Sequence, residues 1–378
     1  MEITIIMDNL DLAQGGGVGS FVYDLTSELA NIKGNYINLI GIVGLRDQQD
    51  WMLDDLRHKN VRIYDLKVAS RKKAIIGINK YLPKLHHLLL KLSTGKKMIC
   101  NLHLKLGVLY GTLASKGITN IKCVETYHSL YSHYWLENKV LSRFITAYVP
   151  CSNSAEEEFI RRFHPKKNKV FTIPNGVNGD KIRKSVEKTD LKNSILAISV
   201  GRLSKQKNFA VTAKAFSKIN DANFKYEIIG EGEEGHNILA QISSINVILH
   251  APVTRQEVLN DLTNCDIVVM PSLWEGLSIF MLEAIALSCP MMISDVPSLR
   301  DVFEEKPLNS NESWRRCSWG YLVSTNDSNG YYNAMKDFLQ DSKLKRSMRE
   351  NVQQLSNKYD IRKTAKSYMY LYSKIIEN

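Results

Sequence analysis

Residues 266–284 read DIVVMPSLWEGLSIFMLEA. A short apolar, β-branched run is followed by a turn holding Pro271, Ser272 and Gly276, and then by a second apolar run. That second run starts near Ser278, whose hydroxyl can cap a helix. Strand, turn and helix in so few residues make one βα unit. In an open α/β sheet the turn beyond such a strand is where ligands bind. The amides of Leu277, Ser278 and Ile279 open the helix, and with its dipole they offer an anion site. Glu275 stands just before that site and Glu283 about a turn into the helix. Eight helical residues span ~12 Å, whereas the paired carboxylates of a glycosidase stand about 5–9.5 Å apart. The spacing therefore suits an elongated ligand with hydroxyls at both ends and phosphates between, which is the layout of a nucleotide-sugar. Two solvated surface glutamates are the plainer alternative. It is weakened by the apolar sequence around both, because buried carboxylates need partners.

The same strand–helix rhythm extends in both directions. Strands are predicted at 195–200, 226–230, 246–250, 266–270, 291–294 and 321–323, and in the first half at 3–7, 37–43, 98–102, 121–126, 146–150 and 170–173. A first helix over 18–32 carries Phe21, Val22, Leu25, Leu29 and Ile32 on one face. Alternation of this kind implies parallel sheets covered by helices. Two series in one chain imply an α/β protein of two doubly wound domains facing one cleft. The polar stretch 175–194 is a plausible linker, and residues 342–378 are helical throughout in pattern.

Two further loops follow strands. Gly201-Arg202-Leu203-Ser204-Lys205-Gln206-Lys207 lets backbone approach a ligand and turns two cations toward one anion. Glu231-Gly232-Glu233-Glu234 makes a tight turn that can line a base. Near the start, Gln14-Gly15-Gly16-Gly17-Val18-Gly19-Ser20 follows the first strand. A dinucleotide fingerprint fails there, since Ser20 takes the place of its last glycine and no acidic residue ends the second strand.

The 378 residues are 44% hydrophobic and 24% charged, enough for a full core. No apolar run is long enough to span a bilayer, and the start (MEITIIMDN) has no basic leader or cleavage site. The six cysteines form no CxxC pair and read as reduced core residues of a cytoplasmic protein. Net charge is +11, and no Asp or Glu occurs between Leu66 and Val124. The basic segment 67–122 includes an amphipathic stretch, AIIGINKYLPKLHHLLLKL, that suits an anionic membrane surface. A solvated face is the alternative. Nucleic acid is not expected as a partner, because no recognition module accompanies the charge.

Taken together, the chain resembles the retaining glycosyltransferases of the GT-B fold, specifically family 4 of the "glycosyl transferases group 1" type. The resemblance rests on the E-x7-E element at Glu275 and Glu283, and on G-R-L-x-x-x-K at Gly201, Arg202, Leu203 and Lys207. IPNGV at 173–177, GEGEE at 230–234 and the glycine-rich first loop add to it. It implies residues 1–175 with 358–378 as an acceptor-binding domain and 176–357 as a nucleotide-sugar donor domain, with the C-terminal helix crossing back to the first. Arg202 and Lys207 would hold the donor diphosphate, Glu283 the ribose and Glu275 the sugar. Backbone at Gly276–Ile279 would assist the phosphates, and Glu231 and Val253 would line the nucleotide. His128 would face the transferred sugar; by itself it reads more readily as a packed histidine. Gly16 and Gly17 fall on the family's paired glycines, a flexible wall beside the donor phosphate and acceptor.

The implied reaction moves a hexose or N-acetylhexosamine, most readily UDP-linked, to a hydroxyl of a glycan or lipid-linked acceptor in bacterial surface polysaccharide synthesis. No cofactor is expected, and no Asp-x-Asp element is present, so no metal is expected either. The protein would sit at the inner face of the cell membrane. Ser278 and Phe280 replace the Gly and Pro common in the family. His250-Ala251-Pro252-Val253 replaces its usual glycine loop, and residues 304–318 are longer than usual. The rivals are a nicotinamide-dependent dehydrogenase and a non-catalytic anionic-lipid-binding protein.

Overall fold

Glu2–Asn9 (EITIIMDN) forms strand β1, buried along almost its whole length, as expected of a strand covered on both faces. The computed structural model describes residues 1–13, 16–45, 50–128, 141–187 and 194–377. The chain divides into two compact units, Met1–Gly176 with Ile361–Asn378, and Val177–Asp360.

In the first unit β1 is followed by β2 (Tyr36–Val43), β3 (Arg62–Val68), β4 (Met98–His103), β5 (Ile121–Tyr127) and β6 (Ile145–Pro150). They pair in parallel in the order β3-β2-β1-β4-β5-β6. This is the doubly wound order, whose direction reverses between β1 and β4. Helix Leu104–Ala114 lies so close to β1 that a Cβ on Gly107 would collide with the Ile6 carbonyl. The last helix, Ile361–Glu377, belongs to this unit and is tied to β5 by a hydrogen bond between the Tyr368 and Thr126 hydroxyls, 3.1 Å apart.

In the second unit β7 (Ile195–Val200), β8 (Phe224–Ile229), β9 (Val247–His250), β10 (Ile267–Met270), β11 (Met291–Ser294), β12 (Trp314–Cys317) and β13 (Gly320–Val323) form a sheet in the order β12-β13-β11-β10-β7-β8-β9. Only β12 runs antiparallel. The core gathers Phe216, Phe224, Tyr226, Tyr331 and Phe338. The Tyr226 hydroxyl is satisfied by Ser199 at 2.7 Å and Thr212 at 2.8 Å.

Several expectations need correcting. Strand β3 was not foreseen; it is an edge strand with a half-polar face. Residues 170–173 join the first sheet through a single bridge, Tyr148–Val170, and are not a full strand. The first helix spans Gly16–Asn31, so Gly16, Gly17 and Gly19 lie in its opening turns and not in a flexible wall. Gln14 and Gly15 of that stretch lie outside the described residues. The supposed linker contains helix Gly179–Ser185, held by Arg183 donating to the Ala286 carbonyl at 3.0 Å; its residues 188–193 lie outside the described residues. The C-terminal helical segment is two helices, Ser342–Leu355 and Ile361–Glu377. The long 304–318 segment holds β12. The six cysteines carry no disulfide, and all but Cys317 are buried.

Candidate functional site

The second sheet reverses direction between β7 and β10, so the loops that follow these two strands emerge side by side. Gly201 to Asn208 follows β7, and Pro271 to Ser278 follows β10. They are bonded to each other: Leu273 donates its amide to the Gln206 carbonyl at 2.8 Å, and Gln206 Nε2 donates to the Trp274 carbonyl at 2.9 Å. At their junction Lys207 Nζ lies 2.6 Å from Glu275 Oε1, and Ser272 Oγ donates to the same oxygen at 2.8 Å. Ser272 is itself anchored, its carbonyl accepting from the Ser294 hydroxyl. The Glu275 carboxylate is buried and Lys207 largely so. A buried carboxylate of this kind is tolerated because cation and hydroxyl replace its water. Arg202, by contrast, is exposed and makes no ion pair among the described residues.

The GEGEE turn has a mechanical part. Leu203 donates to the Glu231 carbonyl at 2.8 Å, and Glu234 donates back to the Leu203 carbonyl at 3.0 Å. Gly230 has φ +155°, and a Cβ there would strike the Gly201 carbonyl. Only glycine lets the β8 turn press against the β7 loop. The Glu231 side chain is exposed beside this contact, and Val253 is exposed in the turn after β9.

Helix Ile279–Ala286 begins with Ser278 as its cap, the Met281 amide donating to the Ser278 hydroxyl. Gly276, Leu277 and Ile279 are buried around this helix start. One turn in, Glu283 is buried and paired with Arg255, whose Nε is 2.7 Å from its Oε1. Burial raises the Glu283 carboxyl above its ordinary value, and Arg255 pulls it back down. Arg255 opens helix Arg255–Asn264, behind a capping box formed by Thr254 and Glu257. The TRQE pattern of that box is visible in the sequence. Nothing local, however, announces that Arg255 reaches Glu283, so both Arg255 and Ser272 escape a motif reading.

The first unit carries its polar residues at its own reversal point. Asp8, near the end of β1, accepts the Leu106 amide at 2.7 Å and the Gly107 amide at 3.0 Å. Burial raises its carboxyl, opposed by these bonds and by Arg71. His103 ends β4 and His128 follows β5; their Nδ1 and Nε2 atoms lie 2.9 Å apart. Phe21 packs edge-on against His128, with ring centroids 5.4 Å apart. Burial lowers His128 to about 4. Gly16 and Gly17 are exposed at the start of their helix. Asp8 and His103 were not singled out from sequence. No cluster of metal-ligating side chains is present among the described residues.

Two family models match the chain: Glycosyltransferase Family 4 over residues 15–181 and Glycosyl transferases group 1 over residues 180–355. An Escherichia coli UDP-Gal:alpha-D-GlcNAc-diphosphoundecaprenol alpha-1,3-galactosyltransferase is 25% identical over 355 residues, covering 86% of this chain and 87% of that protein. A Campylobacter jejuni N,N'-diacetylbacillosaminyl-diphospho-undecaprenol alpha-1,3-N-acetylgalactosaminyltransferase is 26% identical over 260 residues, 65% of this chain and 64% of that one. Among solved structures, an Anabaena protein in complex with UDP and glucose superposes with a TM-score of 0.77 at 14% identity, covering 99% of this chain and 100% of that one. Sucrose-phosphate synthase from Thermosynechococcus elongatus gives 0.76 at 17% identity, with 100% and 99% covered. At such identities the likeness establishes the fold, two Rossmann-like halves of the GT-B type.

Proposed function

The chain belongs to the family 4, group 1 glycosyltransferases of the GT-B fold, and from that premise we propose that it transfers a hexose or N-acetylhexosamine from a UDP-sugar to a lipid-linked glycan, with retention and without a metal. The reading rests on the knot of Lys207, Glu275 and Ser272 beside the start of helix Ile279–Ala286. Lys207 and Arg202 receive the donor diphosphate there and neutralise the charge that grows on it as the glycosidic bond breaks. The amides from Gly276 to Ile279 and the helix dipole add to this. Because Lys207 is already held beside the helix start by Glu275, little reorganisation of that cation is needed in the transition state. Glu275, freed from Lys207 as the phosphates take that cation, accepts from the sugar hydroxyls, and Glu283 accepts from the ribose. Glu231 and Val253 line the base. No side chain among the described residues is poised as a nucleophile; the departing phosphate oxygen takes the acceptor's proton on the same face. Gly16, Gly17 and His128 serve the sugar and acceptor from residues 1–175, and residues 176–357 hold the donor.

UDP as the base-bearing group is supported by the galactosyltransferase relative and by the UDP complex of the Anabaena neighbour. A diphospholipid acceptor is supported by the names of both bacterial relatives. No helix among the described residues is long and apolar enough to cross a membrane. Helices Arg71–Ile76 and Ile78–Leu92 instead expose Ile75, Ile76 and Leu90 (54%, 75% and 47% exposed) together with Arg71, Lys72, Lys73, Lys80, Lys84 and Lys91. These residues rest on anionic lipid at the inner side of the cell membrane.

The test replaces Arg202 and Lys207 by Ala and measures nucleotide release from a panel of UDP-sugars, with lipid-linked acceptor and EDTA present. Wild-type turnover persists in EDTA, and each variant loses on the order of 10²–10³ in kcat. Loss of wild-type activity with EDTA would refute metal independence. Normal activity in the variants would refute the leaving-group role.

A further inference from the structure

The pair formed by His103 and His128 holds more information than its proximity. Along the parallel β4–β5 ladder His103 stands opposite Thr126, two residues before His128. The two imidazoles lie with centroids 5.2 Å apart and planes tilted by 26°, and Phe21 closes on both rings. His103 is fully buried, and its Nε2 finds no hydrogen-bond partner among the described residues. Its position is rigidly set. The next residue, Leu104, takes the left-handed φ of 61°, and the helix behind it is pinned by Asp8 through the Leu106 and Gly107 amides.

A separation of 2.9 Å between two ring nitrogens requires one hydrogen between them. Burial keeps both rings neutral, since both are shifted to lower values. Each ring therefore carries one proton, and two arrangements remain. If His128 Nε2 carried the shared hydrogen, His103 would hold its own proton on Nε2, a buried donor facing no acceptor. If His103 Nδ1 carries it, His103 Nε2 is a bare lone pair. Interiors tolerate an under-satisfied acceptor better than an orphaned donor.

We infer that His103 is a positioning residue that donates Nδ1–H to His128 Nε2, so that His128 keeps its proton on Nδ1 and meets the ligand as a neutral hydrogen-bond donor. The basic nitrogen of His128 is then occupied, and this residue cannot take a proton from the acceptor hydroxyl. Its Nδ1–H recognises an oxygen acceptor, such as a hydroxyl of the transferred sugar. The inference rests on the reading above that His128 faces that sugar, and it assigns His128 to binding and orientation, leaving the proton to the departing phosphate.

The tautomer can be observed directly, in the full chain labelled with ¹⁵N-histidine, by two-bond ¹⁵N–¹H correlation, the His128 signals being assigned by loss in His128→Gln. The expected spectrum shows the His128 proton on Nδ1. A proton on Nε2 would overturn the inference, and this measurement needs no variant of His103 to fold. His103→Asn keeps an amide donor near the Nδ1 position and preserves the His128 tautomer. His103→Leu removes the donor, mixes the two tautomers and lowers kcat by about tenfold or more, with the KM for the donor changed less. Equal effects of Asn and Leu would reduce His103 to packing and overturn the positioning role. A second comparison separates this from the function itself. If the Nδ1–H tautomer is found but His128→Ala turns over normally, the proposed contact with the sugar fails while the pair stands. If His128→Ala is inactive and the proton lies on Nε2, the pair fails while the contact stands.

Discussion

Replacing Arg255 by Met removes the cation from a buried pair and leaves the chain length nearly unchanged. The 2.7 Å contact between Arg255 Nε and Glu283 Oε1 is largely shielded, with side chains 15% and 7% exposed. At an effective dielectric near 20, charge centres about 4 Å apart attract by about 4 kcal/mol. Breaking one partner of such a pair typically costs ~3–5 kcal/mol, because the other charge stays buried. Glu283 is already raised by burial, with Arg255 opposing, so loss of Arg255 pushes its carboxyl further up. A carboxyl whose folded value exceeds its unfolded one confers full stability below the unfolded value and loses it as pH rises through the folded value. The deficit of Arg255→Met relative to wild type therefore deepens as pH rises above the ordinary carboxyl value of 4.5, by at most ~1.4 kcal/mol per pH unit. Glu283→Leu in the same chain removes the stranded charge and recovers most of the loss. Urea unfolding followed by tryptophan fluorescence suits the measurement, since Trp274, Trp314 and Trp319 all report on the second unit. A double-mutant cycle should give a coupling of about 2–4 kcal/mol. Additivity within ~0.5 kcal/mol, or a deficit that ignores pH, would show that Glu283 does not depend on Arg255.

Two further outcomes follow from the first unit. Burial lifts Glu125 on β5 to about 8, above its ordinary 4.5, and its Oε2 has no hydrogen-bond partner among the described residues. Stability from this group is complete below about pH 4.5 and lost as pH approaches 8; Glu125→Gln should therefore raise the melting temperature at pH 8 and matter little near pH 5, and an effect of the opposite sign would mean the carboxylate is stabilised as an anion. The exposed Ile75, Ile76 and Leu90 with their lysines should bind liposomes containing anionic lipid, weakening as salt rises. Ile75→Ser with Ile76→Ser should cut flotation severalfold without changing thermal stability, whereas unchanged flotation would remove the membrane contact.

Strand positions were legible wherever both faces of a strand are covered, because such strands read as unbroken apolar runs; β1, β7 and β10 are of this kind. The edges were not. RIYDLKV and WRRC carry charged residues on partly exposed faces and so do not read as apolar runs, and both β3 and β12 went unseen. Residues 170–173 failed in the other direction: an apolar run lies beside β6 but makes only one bridge. The glycines after β1 looked like loop because glycine weakens helices on average. Tertiary packing overrides that preference in the opening turns of Gly16–Asn31.

The residue types of the candidate site, with the strand–turn–helix units that carry them, were determined by the sequence alone. Glycine, cation and carboxylate stand at fixed offsets behind apolar runs, and the cap at Ser278 is a local matter of one hydroxyl and one amide. Who meets whom was decided only by the tertiary structure. Lys207 and Glu275 are 68 residues apart, and they touch because β7 and β10 are neighbours at the point where the sheet reverses. His103 meets His128 because β4 and β5 are neighbours, and Arg255 reaches Glu283 from a helix that follows β9, a strand not adjacent to β10. Local patterns set which groups stand at the ends of strands; strand order, which depends on burial summed over a whole sheet, sets the distances between them.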